Sequence, residues 1–236
     1  MRTLVLCLLF SSTAWGQFAP YFPGQSPNDG LIRSGVSPVD ALPRSFAVYG
    51  DSIALGLCST TAPHLALSAL LPGYLAANHA QSGTTTSEIA THYFATRDTA
   101  CDGTLCGTYL FEGGVNNVKN GSGTPSSMLS DMLSAVDDAR SRGRRVVWTN
   151  IAPFKGCGFC GDPATGWTLA KSYNTLWAAA CAARPDITCV DVGAGTAWEE
   201  PSTDGYLKTA WSCDGIHWLQ GGTEAWAQAA SAANAE

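Results

Sequence analysis

The sequence predicts an α/β protein built on a central parallel sheet of about five strands, with helices on both faces. Three observations predict it. Short apolar runs of strand length alternate with amphipathic or alanine-rich stretches of helix length. The intervals leave room for crossover helices, which join parallel strands with a right-handed sense. No internal repeat and no linker interrupts the alternation, so residues 44–236 read as one domain.

The chain begins with a leader. Arg2 supplies a positive start, Leu4 to Phe10 an apolar run, and Ala14-Trp15-Gly16 a cleavage site, so residues 1–16 are expected to be a signal peptide removed after Gly16. Residues 17–43, rich in Pro, Gly, Ser and Asn, read as an irregular arm. Ser45 to Tyr49 is the first strand, and Ser52 to about Leu71 carries a helical pattern that Pro63 interrupts. Tyr74 to Asn78 is a brief second strand, followed by a helix through His92 to Ala95. Thr108 to Glu112 forms a third strand, Ser127 to Ser141 an amphipathic helix and Arg145 to Asn150 a fourth strand. A glycine-rich excursion over Gly156 to Gly166 precedes a helix from Trp167 to Ala183. Ile187 to Val192 is the fifth strand, and Gly222 to Ala233 a closing helix.

The formal charge of −6 and the lack of any basic run disfavour nucleic acid as a partner. No segment after the leader is apolar for long enough to span a bilayer, so no stable membrane insertion is expected, and the mature chain is expected to be secreted or periplasmic. Nothing in the sequence demands an oligomer, and a monomer is the default. Cys7 lies in the leader. The remaining cysteines are even in number, which in an exported chain reads as disulfides. Neighbours in sequence suggest Cys101–Cys106, Cys157–Cys160 and Cys181–Cys189, leaving Cys58–Cys213. Cys157-x-x-Cys160 also fits a redox pair or half a zinc site, but no adjacent Cys/His pair completes a metal set.

In open parallel sheets, ligands sit beyond the carboxyl ends of the strands. Four stretches fall there. Gly50-Asp51-Ser52 follows the first strand, where a helix N-terminus offers unpaired N–H groups and a dipole that favours negative charge. Asp51 or Ser52 there also suits an ordinary helix cap. Asp214-Gly215-Ile216-His217 places a carboxylate three residues before a histidine. Histidine would serve Ser52 as general base, with Asp214 fixing its tautomer; Asp191, at the end of the fifth strand, is the competing acid. Ser52 N–H, the backbone of Gly83 and the side chain of Asn116 would supply hydrogen-bond donors to an oxyanion.

Taken in order, these blocks resemble those of the SGNH hydrolases, or GDSL-like lipases and acylhydrolases. The blocks are Gly50-Asp51-Ser52, Asn78-His79-Ala80-Gln81-Ser82-Gly83-Thr84-Thr85, Gly114-Val115-Asn116-Asn117 and Asp214-Gly215-Ile216-His217. The resemblance implies a three-layer flavodoxin-like fold, no cofactor and no metal. It makes Ser52 the nucleophile, His217 and Asp214 its base and acid, and Ser52, Gly83 and Asn116 the oxyanion hole. The sequence departs from the family where Asn117 stands in place of the usual Asp and where Trp218 follows the histidine. Both are candidates to line the substrate cleft. The implied activity is hydrolysis of a carboxylic ester, with an acetyl group on a carbohydrate as the leading substrate. A lipase, lysophospholipase, thioesterase or acyltransferase uses the same chemistry, and a non-catalytic glycan-binding domain is the alternative of another class.

Overall fold

Five strands, all parallel, form a single sheet in the order β2-β1-β3-β4-β5 in the computed structural model, which describes residues 42–193 and 195–232. The expected leader and nearly all of the expected arm lie outside these residues. The strands are β1 (Ser45–Tyr49), β2 (Leu75–Asn78), β3 (Thr108–Phe111), β4 (Arg145–Thr149) and β5 (Thr188–Val190). The central strands are buried on both faces, with Phe46, Val48, Tyr109, Leu110, Val147 and Trp148 almost wholly enclosed. That explains their unbroken apolar runs: a strand covered on both sides has no polar face to show.

Seven α-helices are described: α1 (Ser52–Leu55), α2 (Pro63–Leu70), α3 (Thr86–Thr96), α4 (Val115–Asn120), α5 (Pro125–Ser141), α6 (Pro163–Ala182) and α7 (Gln220–Ala232). The step from β1 to β2 runs one way across the sheet and every later step runs the other way. Right-handed crossovers therefore put α2 on one face and α3, α5 and α6 on the opposite face. The packing agrees: α3 lies on α5 and α5 on α6, while α2 packs against α7. The direction reverses between β1 and β3, which makes the carboxyl end of that pair the topological switch point.

The stretch from Ser52 to Leu71 is two helices rather than one interrupted by Pro63. Gly56 ends α1 after a single turn, in the left-handed region at φ 86°, with its N–H bonded to the carbonyls of Ser52 and Ile53. Pro63 then opens α2 as its first residue, where the missing N–H has no partner to lose. Capping boxes start α3 at Thr85 with Glu88 and α5 at Thr124 with Ser127. The short α4, which the sequence pattern does not announce, lies between Gly114 and Gly121 and packs on α6. Among the described residues no helix is long and apolar enough to cross a membrane.

Candidate active site

Ser52 follows β1 as the first residue of α1, at the switch point. Asp51 caps this helix, its Oδ1 accepting from the N–H of Ile53 at 2.9 Å. An N–H in the first turn of a helix has no partner within the helix, so that of Ser52 is available to a ligand. The Ser52 hydroxyl donates to Nε2 of His217 at 2.8 Å, across 165 residues of sequence.

His217 comes from a tight loop between β5 and α7. Asp214 builds the loop and orients the ring at once. Its Oδ1 accepts from the backbone N–H groups of Ile216 and His217 at 3.1 and 2.9 Å, while Oδ2 accepts from His217 Nδ1 at 2.6 Å. Although partial burial pushes this carboxyl up, those hydrogen bonds hold it below the usual carboxylate range. A proton fixed on Nδ1 leaves Nε2 as the acceptor that faces Ser52. Gly215 is required between them: at φ 87° a Cβ would lie 2.3 Å from the backbone of Gly156.

Asn116 sits in the first turn of α4, just beyond β3. Its Nδ2 donates to the carbonyl of Thr84 at 3.0 Å and to Asp51 Oδ2 at 3.3 Å. The Gly83 turn is tied to the same place, because Thr84 Oγ1 donates to the carbonyl of Gly50 at 3.2 Å. Nothing lies within 4 Å of where a Cβ would stand on Gly83, so this backbone is open to approach. The chain thus gathers Ser52, His217 and Asp214 into one hydrogen-bonded row, with Asn116 and the Gly83 turn anchored through Asp51, Gly50 and Thr84.

Two expected cleft residues do not line open space. Asn117 is buried, its Oδ1 accepting from the N–H of Thr86 at 2.9 Å and its Nδ2 donating to the carbonyl of Ser122 at 3.0 Å. Both ends of the amide are occupied in fixing the start of α3 to the end of α4. Trp218 is 3 % exposed and packs against Trp198, with Gly222 close behind it. Asp191 bonds to Asn150 Nδ2 and to the N–H of Gly193 instead of to His217. His79 stacks on Tyr49 at 5.0 Å and bonds to the carbonyl of Ala100, which places it in the packing behind the site.

Three residues near the site were not singled out by the sequence. Phe159, 56 % exposed, holds its ring within 15° of parallel to His217 at 6.3 Å, and Lys119 Nζ lies 5.6 Å from the same ring. An aromatic residue at the tip of a Cys-x-x-Cys loop is the signal that points to Phe159. Glu112 is the third, and a lone acid closing an apolar strand could have marked it.

The described cysteines form Cys58–Cys213, Cys101–Cys106, Cys157–Cys160 and Cys181–Cys189. Cys58, Cys213, Asp214 and His217 bring potential ligand atoms within 4.8 Å of one another. The two sulfurs are bonded to each other and offer no thiolate, so this cluster is a crosslink beside the row rather than a metal centre.

No family model matches the chain, and no curated protein matches it in sequence. Solved structures do share its fold. A GDSL-like lipase from Bacteroides thetaiotaomicron is 16 % identical, with 81 % of this chain and 87 % of that one aligned and a TM-score of 0.61. A member of the lipolytic protein G-D-S-L family from Veillonella parvula is 15 % identical over 79 % of this chain and 95 % of that one, with a TM-score of 0.62. A carbohydrate acetylesterase family member from Sinorhizobium meliloti is 15 % identical over 80 % and 95 %, with a TM-score of 0.56. The class defined by these likenesses is the three-layer α/β fold those proteins share. It is the fold expected from the four sequence blocks.

Proposed function

We propose that this chain is an SGNH hydrolase, a serine esterase that cleaves carboxylic esters through an acyl-enzyme. The observation that carries this reading is the row Ser52–His217–Asp214, with contacts of 2.8 and 2.6 Å. His217 Nε2 takes the Ser52 proton as Oγ attacks the ester carbonyl, and Asp214 stabilises the imidazolium that forms. The oxyanion develops at the N-terminus of α1, facing the N–H groups of Ser52 and Gly83 and the amide of Asn116. Each such donor is typically worth roughly 3–4 kcal/mol of barrier. His217 then protonates the leaving alcohol. A water molecule, deprotonated by the same imidazole, releases the acid and restores Ser52.

The substrate we propose is a short acyl ester, acetyl above all, carried by a carbohydrate. The exposed ring of Phe159 beside His217 suits the apolar face of a sugar, and the Sinorhizobium protein is described as a carbohydrate acetylesterase family member. We also propose export through residues 1–16, an arm over residues 17–43 and a hydrolase domain over residues 44–236; four disulfides suit an oxidising compartment.

A fluorophosphonate should label Ser52 stoichiometrically and leave Ser52→Ala unlabelled. His217→Ala should lose at least about a thousandfold in turnover of p-nitrophenyl acetate. A folded but unlabelled protein would remove the nucleophile assignment. Comparing acetyl with octanoyl and palmitoyl esters separates the acetylesterase from a lipase, and a panel of acetylated polysaccharides then identifies the alcohol.

A further inference from the structure

Behind Ser52 lies a second acid that takes no part in the mechanism above. Glu112, directly after β3, is 3 % exposed, and Asp51 is 0 % exposed. Their carboxyl groups face each other, close enough that each acts on the other's ionisation. Two ionised carboxylates facing each other away from water repel, and a single proton shared between them turns that repulsion into a hydrogen bond. Glu112 Oε2 is where such a proton fits, since this buried oxygen has no other hydrogen-bond partner. Gly50 leaves the space for it: a Cβ there would stand 3.0 Å from Oε2 and 2.9 Å from the Glu112 carbonyl. Burial raises both acids, Asp51 to about 6 and Glu112 well above the carboxylate range, with the charge of Asp51 adding to the effect on Glu112. Other groups facing the pair are His217 and Lys119, which favour the charged form of Asp51, and the buried Tyr173 hydroxyl.

The pair matters because of what Asp51 holds. Asn116 Nδ2 has two hydrogens. One is committed to Thr84 at 3.0 Å, and the other rests on Asp51 Oδ2 at a longer 3.3 Å. Only the second is free to turn toward an oxyanion on the ester. A lone buried carboxylate would grip it, for a charged acceptor binds an N–H about twice as strongly as a neutral one. A carboxylate that already accepts a proton from Glu112 grips it less.

We propose that Glu112, through a proton shared with Asp51, is the positioning residue that leaves the Asn116 amide free to serve the oxyanion. This rests on the esterase reading of the same site. At neutral pH the pair keeps one proton, Asp51 keeps Asn116 within reach, and the amide swings from Asp51 to the substrate oxygen as charge develops there.

The test is a cycle of variants assayed with p-nitrophenyl acetate. Glu112→Gln still donates to Asp51 and should keep kcat within about threefold, whereas Glu112→Leu should lose at least about tenfold in kcat with KM unchanged. In an Asn116→Ala background, the Glu112→Leu change should cost nothing further. A Glu112→Leu loss that persists without Asn116, or a Glu112→Gln variant as slow as Glu112→Leu, overturns the proposal. Should Glu112→Leu fail to fold, Asp51→Asn probes the pair from its other side, and its effect on kcat must likewise vanish without Asn116. An infrared band of a protonated carboxyl at neutral pH, absent in Glu112→Gln, is expected independently of turnover. If the unaltered chain hydrolyses no ester, the esterase reading falls; the infrared band then decides the shared proton, and its absence overturns this proposal as well.

Discussion

At the scale of single residues, Asp51 and Asp214 show how placement separates two acids of one site, the first preceding Ser52 in the chain and the second reaching it through His217. Asp214 is partly exposed, and three hydrogen-bond donors from its own loop keep it ionised. Asp51 is fully enclosed, and burial raises it to about 6 although the Ile53 N–H, the charge of His217 and the facing Glu112 pull the other way. This difference makes a prediction about stability. A carboxyl that holds its proton more tightly when folded stabilises the fold in acid, below the ordinary carboxylate range near pH 4. The contribution fades as pH rises through about 6 for Asp51, and further as Glu112 ionises. The urea midpoint of the unaltered protein should therefore fall between about pH 4 and pH 7 relative to that of Asp51→Asn, which has no proton to lose there. Equal pH dependence in the two proteins would show that Asp51 is not perturbed.

At the scale of elements, what could be read from the sequence depended on how local the cause was. The central strands were legible because burial on both faces writes an apolar run, and α5 because its apolar positions recur at helical spacing. Pro63 reads as an interruption, and that it opens a second helix depends on Gly56 ending the first. Helix α4 was not legible, since Val-Asn-Asn-Val-Lys-Asn has weak helix propensity and is held by the burial of Val115 and Val118. The role of Asn117 was hidden for the same reason: its partners Thr86 and Ser122 belong to other elements. The loop bearing Phe159 is a further case, a glycine-rich stretch whose position against His217 follows from the Cys157–Cys160 crosslink and the close approach of Gly156 to Gly215. An exposed ring beside the base would contact the alcohol portion of a bound ester. Aromatic contacts of this kind are worth about 0.5–1.5 kcal/mol, so Phe159→Ala should raise KM for acetylated sugars by roughly two- to tenfold with kcat little changed. A lowered kcat at constant KM would instead mean that the ring holds His217 in place.

At the scale of the whole molecule, the site is assembled from opposite ends of the described chain, and the crosslinks divide into two kinds. Cys101–Cys106, Cys157–Cys160 and Cys181–Cys189 close loops of 5, 3 and 8 residues, whereas Cys58–Cys213 closes one of 155. That long loop starts just after α1, which carries Ser52, and ends one residue before Asp214. Gln220 strengthens the same junction, its Oε1 accepting from Ser59, Thr60 and the N–H of Thr61. If constraint of the unfolded chain dominates, the long crosslink is worth about 5 kcal/mol and a five-residue one about 2 kcal/mol. Cys213 is also exposed, while the first two short pairs are buried. Mild reductant without denaturant should therefore open Cys58–Cys213 before Cys101–Cys106 or Cys157–Cys160, as read by alkylation and mass spectrometry. Replacing Cys58 and Cys213 together by Ala should lower unfolding free energy by about 3–5 kcal/mol, more than replacing Cys101 and Cys106. Turnover should fall as well, because the segment that presents Asp214 and His217 to Ser52 loses its covalent tie to the end of α1. A double variant that keeps full activity while losing stability would show that Gln220 and the Asp214 loop hold the row in register without the disulfide.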